Sequence, residues 1–217
     1  MTKPMRKPMT KMPLFTLLFS ATLATQAQAM EKLTLVLDWY INPDHAPIMV
    51  AQQTGAFAAE GLEVNIVPPS DPALPPRLVA AKQADLAITY QPQLHFFADQ
   101  GLPLMRVGTL INSPLNTLMT LDETVKKPAD LKGKRIGYSV SGIEQATLAT
   151  MLNHDGVKAD QVKLVNVNFQ LTSALMTGQV DAVIGGYRNS EALEMKQQGK
   201  KPVVFNVEDY GVPAYDE

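Results

Sequence analysis

Short apolar runs and longer periodic segments succeed one another between residues 33 and 205. Leu33 to Leu37, broken only by Thr34, is the pattern of a strand covered on both faces. Pro47 to Thr54 predicts a helix that Gly55 ends, and Leu62 to Val67 alternates up to Pro68-Pro69 as a second strand. A helix over Leu74–Gln83, a strand over Asp85–Thr89, a helix over Pro92–Gln100 stopped by Gly101, and a strand over Leu104–Leu110 complete a first block. The stretch Asn116 to Leu121 reads as extended chain leading into a second block. There, strands are expected at Arg135–Ser139, Val162–Val167, Val180–Ile184 and Val203–Phe205. Helices are expected at Gly142–His154, Leu171–Thr177 and Ser190–Gln198, with Ser141 and Glu144 forming a capping box for the first of them. Strands separated by helices predict an α/β protein with mixed, mostly parallel sheets and helices on both faces.

The blocks echo each other. Gln83, Asp85 and Ile88 stand in a helix-to-strand joint that recurs 96 residues later as Gln179, Asp181 and Ile184, and Tyr90 and Tyr187 follow the two joints. Two similar halves joined by extended chain predict two lobes with a cleft between them. Such joints are also common in unrelated α/β proteins, so the spacing alone does not require a duplication.

The first residues follow another pattern. Lys3, Arg6, Lys7 and Lys11 precede an apolar run from Leu14 to Thr25, and Ala27-Gln28-Ala29 closes it. This order predicts a secretory leader over residues 1–29, cleaved near Ala29, and hence a periplasmic location. The run is shorter than the roughly 20 residues that span a bilayer. The chain has 19 basic and 21 acidic residues; without the four bases of the leader, 15 bases face 21 acids, a net charge of −6. That balance excludes nucleic acid as an expected partner. No cysteine is present, which removes disulfides, thiolate nucleophiles and cysteine-bound metals. His45, His95 and His154 lie at no ligand spacing, so neither a metal nor another cofactor is expected.

Candidate chemistry gathers beyond the carboxyl ends of the strands, where open α/β sheets hold ligands. Asp38, Trp39 and Asn42 follow the first strand, Tyr90 the third, and Asn116 lies beyond the fourth. Ser141 and Gly142 open a helix, and Tyr187, Asn189 and Glu191 follow the strand Val180–Ile184. Aromatic faces with fixed amide and carboxylate groups suit a flat heteroaromatic ligand.

Runs 37–47 (Leu-Asp-Trp-Tyr-Ile-Asn-Pro-Asp-His-Ala-Pro), 51–62, 90–93 and 185–191 (Gly-Gly-Tyr-Arg-Asn-Ser-Glu) resemble the ABC-importer substrate-binding proteins of the group named for thiamine-pyrimidine synthesis. Runs 113–117 and 131–138 extend the resemblance. It implies a two-lobed periplasmic-binding-protein fold of type II, monomeric, with lobe 1 over 30–118 and lobe 2, including the start of a return crossing, over 119–217. It also implies a segment beyond Glu217 that packs on lobe 1, a pyrimidine-type thiamine precursor such as formylaminopyrimidine as ligand, and an inner-membrane permease with its ATPase as partner. By the same resemblance Trp39 and Tyr90 stack on the ligand, and Asp38, Asn42, Asn116, Ser141, Gly142, Tyr187, Asn189 and Glu191 make its polar contacts. Alkanesulfonate, nitrate-like and riboflavin-precursor ligands are the alternatives within the fold, and a non-transport product stands outside it. An enzyme in the same superfamily builds the pyrimidine from pyridoxal phosphate and its own histidine. Its lysine and histidine positions are occupied here by Thr89 and Gln93, and its cysteines have no counterpart.

Overall fold

A computed structural model describes residues 29–216. The expected leader lies almost wholly outside them. Strand β1 (Glu31–Val36) leads through helices α1 (Ala46–Gln53) and α2 (Ala56–Ala59) to β2 (Leu62–Val67). Helix α3 (Pro75–Ala80), β3 (Leu86–Ala87) and α4 (Gln91–Asp99) follow. These three strands form one parallel sheet in the order β2-β1-β3. The second sheet takes in β4 (Asn116–Thr120), β5 (Arg135–Tyr138), β6 (Lys163–Asn166), β7 (Ala182–Tyr187) and β8 (Val203–Asn206) in the order β6-β5-β7-β4-β8. Helices α5 (Ile143–His154), α6 (Leu171–Met176) and α7 (Glu191–Gln197) connect its strands. β4 runs antiparallel to both neighbours, β7 and β8, while β6, β5 and β7 are parallel.

Alternation along the second sheet sorts its side chains to two faces. Leu118, Ile136 and Ile184 pack with Leu148, Met151 and Leu152 of α5, whereas their neighbours Met119 and Val183 pack with Leu171 and Leu175 of α6 and Met195 of α7. The sheet is therefore covered by helices on both sides, as the sequence pattern predicts.

The repeated joint has a physical basis. The Thr34 N–H donates to Asp85 Oδ2 at 2.7 Å, and the Asp85 N–H donates to the Thr34 carbonyl at 3.0 Å. The Arg135 N–H donates to Asp181 Oδ2 at 2.8 Å, and the Asp181 N–H returns a 2.8 Å bond to the Arg135 carbonyl. In both places the carboxylate just before β3 or β7 accepts a backbone N–H of the adjacent strand ahead of the first paired residues, and the strand pair then continues in parallel. Only the second joint adds a guanidinium: Arg135 Nη2 lies 2.8 Å from Asp181 Oδ1 and holds that carboxyl down at about 2.

Two expectations need correction. Leu104–Leu110 is not a strand; Met105 and Val107 stand 82% and 73% exposed, because no strand runs alongside this segment to bury its apolar face. The extended Asn116–Leu121 stretch forms β4, which belongs to the second sheet. Ser141 does not cap α5: Gly142 takes that place with φ +88°, and its N–H is bonded by Gln145 rather than the helix start by Glu144. At the far end, the Gln91 N–H donates to the Asp216 carbonyl at 2.9 Å, and Asn116 Nδ2 donates to Tyr215 Oη at 2.8 Å. The last described residues thus reach back to the start of α4.

Candidate functional site

The chain leaves β1 through Leu37 and Asp38, both buried, and turns at a single 3₁₀ turn, Pro43–His45. Asn42 starts that turn: its Oδ1 accepts the Asp44 N–H at 2.8 Å, and its own N–H donates to His45 Nδ1 at 3.2 Å. With Nδ1 accepting, the ring proton belongs on Nε2, which donates to Asp38 Oδ1 at 2.9 Å. Tyr90 Oη donates to Asp38 Oδ2 at 3.0 Å. Both oxygens of Asp38 are therefore engaged by the protein, and the carboxylate fixes the Tyr90 ring.

Opposite this wall stand Glu144 on α5 and Glu191 at the start of α7. Glu144 turns back from its helix, and its Oε2 accepts the Ser139 N–H at 2.6 Å. Burial pushes its pKa up to about 8, and the charge of Glu191 adds to the rise. Glu191 Oε2 accepts the Tyr187 N–H at 2.7 Å, and burial raises this carboxyl too, helped by the charges of Glu194 and Asp44. Gly185 in β7, at φ +99°, packs directly on Glu144: a Cβ there would sit 2.1 Å from Oε1.

Six of the ten expected residues, Asp38, Trp39, Asn42, Tyr90, Tyr187 and Glu191, line one cavity between the sheets. Glu144, Leu171 and Gly185 complete its wall, and no lysine or arginine is among the lining residues. The cavity holds about 10 Å³, room for about one water. Small-molecule sites run from roughly 300 Å³ upward, so the cavity is closed to a small molecule in this conformation. The other four lie elsewhere. Asn116 is buried against Tyr215, Ser141 is exposed, and Gly142 bonds to Gln145. Asn189 Nδ2 donates to Asp44 Oδ1 at 2.7 Å and so ties the lobes together across the cleft.

A second tie is aromatic. Phe169, between β6 and α6, packs 4.7 Å from Trp39 and 4.5 Å from Tyr40, centroid to centroid. Neither Phe169 nor Glu144 was among the expected site residues. Phe169 follows β6 as Trp39 follows β1, so the same strand-end rule, applied to one more strand, finds it. Glu144 has the sequence signature of a cap and carries no mark of a site residue.

Thr89 Oγ1 donates to Gln93 Oε1 at 2.5 Å, and neither lines the cavity. A hydroxyl and an amide hold no pyridoxal phosphate in Schiff-base linkage, so the residues do not fit that cofactor. Among the described residues no three His, Cys, Asp or Glu side chains are placed to hold a metal ion. Nor is any described helix long and apolar enough to cross a membrane.

Two sheets joined by crossing segments, with a polar and aromatic cleft between them, define the fold of bilobal substrate-binding proteins. The alkanesulfonate-binding protein of Xanthomonas axonopodis superimposes with a TM-score of 0.65 at 17% identity, over 87% of this chain and 64% of its own. The family model described as NMT1/THI5 like matches residues 42–217, and the chain belongs to that family. A Haemophilus influenzae protein named for thiamine biosynthesis is 52% identical over 94% of this chain and 65% of its own length. The formylaminopyrimidine-binding protein of Halalkalibacterium halodurans is 39% identical over 89% of this chain and 59% of its own. The chain thus spans less than two thirds of these relatives. A Legionella pneumophila 4-amino-5-hydroxymethyl-2-methylpyrimidine phosphate synthase is 27% identical over 82% of this chain.

Proposed function

We propose that this chain captures an aminopyrimidine of the thiamine-precursor type, formylaminopyrimidine or a close analogue, outside the cytoplasm and delivers it to an ABC import permease. The observation that carries the reading is the composition of the interlobe cavity: aromatic rings of Trp39, Tyr90 and Tyr187 with the carboxyls of Asp38, Glu144 and Glu191, and no cationic side chain. Carboxyls match a ligand that carries N–H donors and repel one that carries a sulfonate or nitrate charge. The 39% identity to a protein named for formylaminopyrimidine binding supports the same ligand class. A synthase role is disfavoured by Thr89 and Gln93 and by the absence of cysteine. Capture proceeds as a shift between parted and closed lobes, with Asp44–Asn189 and Phe169 on Trp39 and Tyr40 closing behind the ligand.

Thermal melting with formylaminopyrimidine, hydroxymethylpyrimidine, thiamine, riboflavin and taurine tests the assignment. Binding to the folded state alone adds about 2.7 kcal/mol of apparent stability at 100 times the dissociation constant. A selective upward shift with an aminopyrimidine is expected. A shift with taurine alone, or with none of the panel, refutes the ligand class.

A further inference from the structure

Packing does not account for Glu144. It is buried at the start of α5 in a wall without cations, and the charged group that acts on it is a second carboxyl, Glu191. Burying a carboxyl in such company is unfavourable. A glutamine would accept the same bond from Ser139 without that penalty. The fold also keeps position 185 clear of any side chain for it, since a Cβ on Gly185 would lie 2.1 Å from Oε1 and 2.4 Å from Cδ. The Ser139 N–H occupies Oε2 and the Val140 N–H also bonds the carboxyl, while Oε1 packs against the Gly185 wall of the cavity.

We infer that Glu144 is a specificity-determining residue of the cleft: as a neutral acid it donates from Oε1 to the lone pair of a ring nitrogen, while Glu191 accepts from an amine on the adjacent ring carbon. The inference rests on the aminopyrimidine reading above and assigns the two groups that read its amino edge. An aminopyrimidine edge presents a ring-nitrogen acceptor beside an N–H donor. The corresponding oxopyrimidine presents N–H beside C=O, which reverses both partners and leaves two buried groups unpaired. The neutral acid prevails below the Glu144 pKa of about 8 and gives way to the carboxylate above it. Facing it are Asp38 and Tyr90 from the first lobe, Tyr187 at the end of β7, and Glu191 on α7.

Fluorescence of Trp39, the single tryptophan, reports binding to the full chain. The probes are 4-amino-5-hydroxymethyl-2-methylpyrimidine and its 4-oxo counterpart. Loss of the donor proton predicts that wild-type affinity for the amino probe falls about thirtyfold between about pH 6.5 and about pH 9.5. In E144Q the ratio drops below about threefold, because the amide does not titrate, while Asp38, Tyr90, Tyr187 and Glu191 all remain. The wild type is expected to prefer the amino probe over the oxo probe at least about tenfold. A wild-type-sized pH ratio in E144Q, or equal wild-type affinity for the two probes, overturns the assignment. Should E144Q lack a cooperative melt, infrared spectroscopy of the wild type decides. A neutral carboxylic C=O stretch at about pH 7 that vanishes above about pH 9 supports the assignment, and its absence overturns it. Wild-type protein that binds neither probe at any pH refutes the ligand reading itself, whereas pH-independent binding refutes only the role of Glu144.

Discussion

Replacing Gly185 by alanine tests whether the cleft is built around the Glu144 carboxyl. The added Cβ would lie 2.1 Å, 2.4 Å and 2.9 Å from Oε1, Cδ and Oε2 of Glu144, all closer than real contacts allow. Position 185 also takes φ +99°, where an L-residue is strained by about 1–3 kcal/mol. Displacing a packed, buried group adds about 1–3 kcal/mol. Together these predict a loss of about 2–6 kcal/mol, and the middle of that range lowers Tm by about 8–16 °C in a chain of this size. Denaturant unfolding of wild type, Gly185→Ala, Glu144→Ala and the double variant separates the two causes. Removing the carboxyl relieves the overlap and leaves the backbone strain, so the cycle should show a coupling of about 1–3 kcal/mol. A Gly185→Ala protein that melts within about 2 °C of wild type refutes the close packing of Glu144 on β7.

Two further predictions concern the ties between and within the lobes. Phe169→Ala removes two ring contacts from across the cleft, each contributing about 0.5–1.5 kcal/mol beyond its area. Its Trp39 emission should shift to the red with greater acrylamide quenching, and unchanged emission would count against the aromatic tie. The Asp181 pKa is lowered from 3.8 to about 2, chiefly by its hydrogen bond to Arg135, so the folded form is favoured above pH 3.8 and that contribution disappears as pH falls through about 2. Asp181→Asn should lack this acid-side loss between about pH 4 and pH 2 in melting curves, and an identical acid profile would refute the strand-start role.

Much of the fold is legible in the sequence because its signals are local. Gly101 ends α4 at φ +79° where the pattern stops, and β2 spans Leu62–Val67 as the alternation predicts. The failure at Leu104–Leu110 is of a different kind: alternating apolar residues form a strand only where another strand supplies hydrogen bonds and a covering layer, and that information is not local. The site divides in the same way. Trp39, Tyr90, Tyr187 and Glu191 sit at or just past strand ends, so connectivity alone brings them to the cleft. Glu144 is the second residue of a helix, and only the bare backbone of Gly185, about forty residues on, lets its carboxyl into the wall. Asn189 donates to Asp44 across the lobes, a pairing that no spacing rule contains.

The twin strand-start aspartates carry a consequence for how a ligand is oriented. Asp85 and Asp181 place β3 and β7 alike in their sheets, and the residues that follow, Tyr90 and Tyr187, pack together with Val140 in one small cluster. The two lobes thus each send a tyrosine from a comparable joint into the same cavity. Chemistry tells the two lobes apart. The first lobe's carboxylate, Asp38, is already engaged by His45 and Tyr90, whereas the second lobe presents two carboxyls from helix starts. On the proposed reading, the first wall is a fixed shelf and the second reads the edge of the ring, which gives the molecule a single heading in its seat.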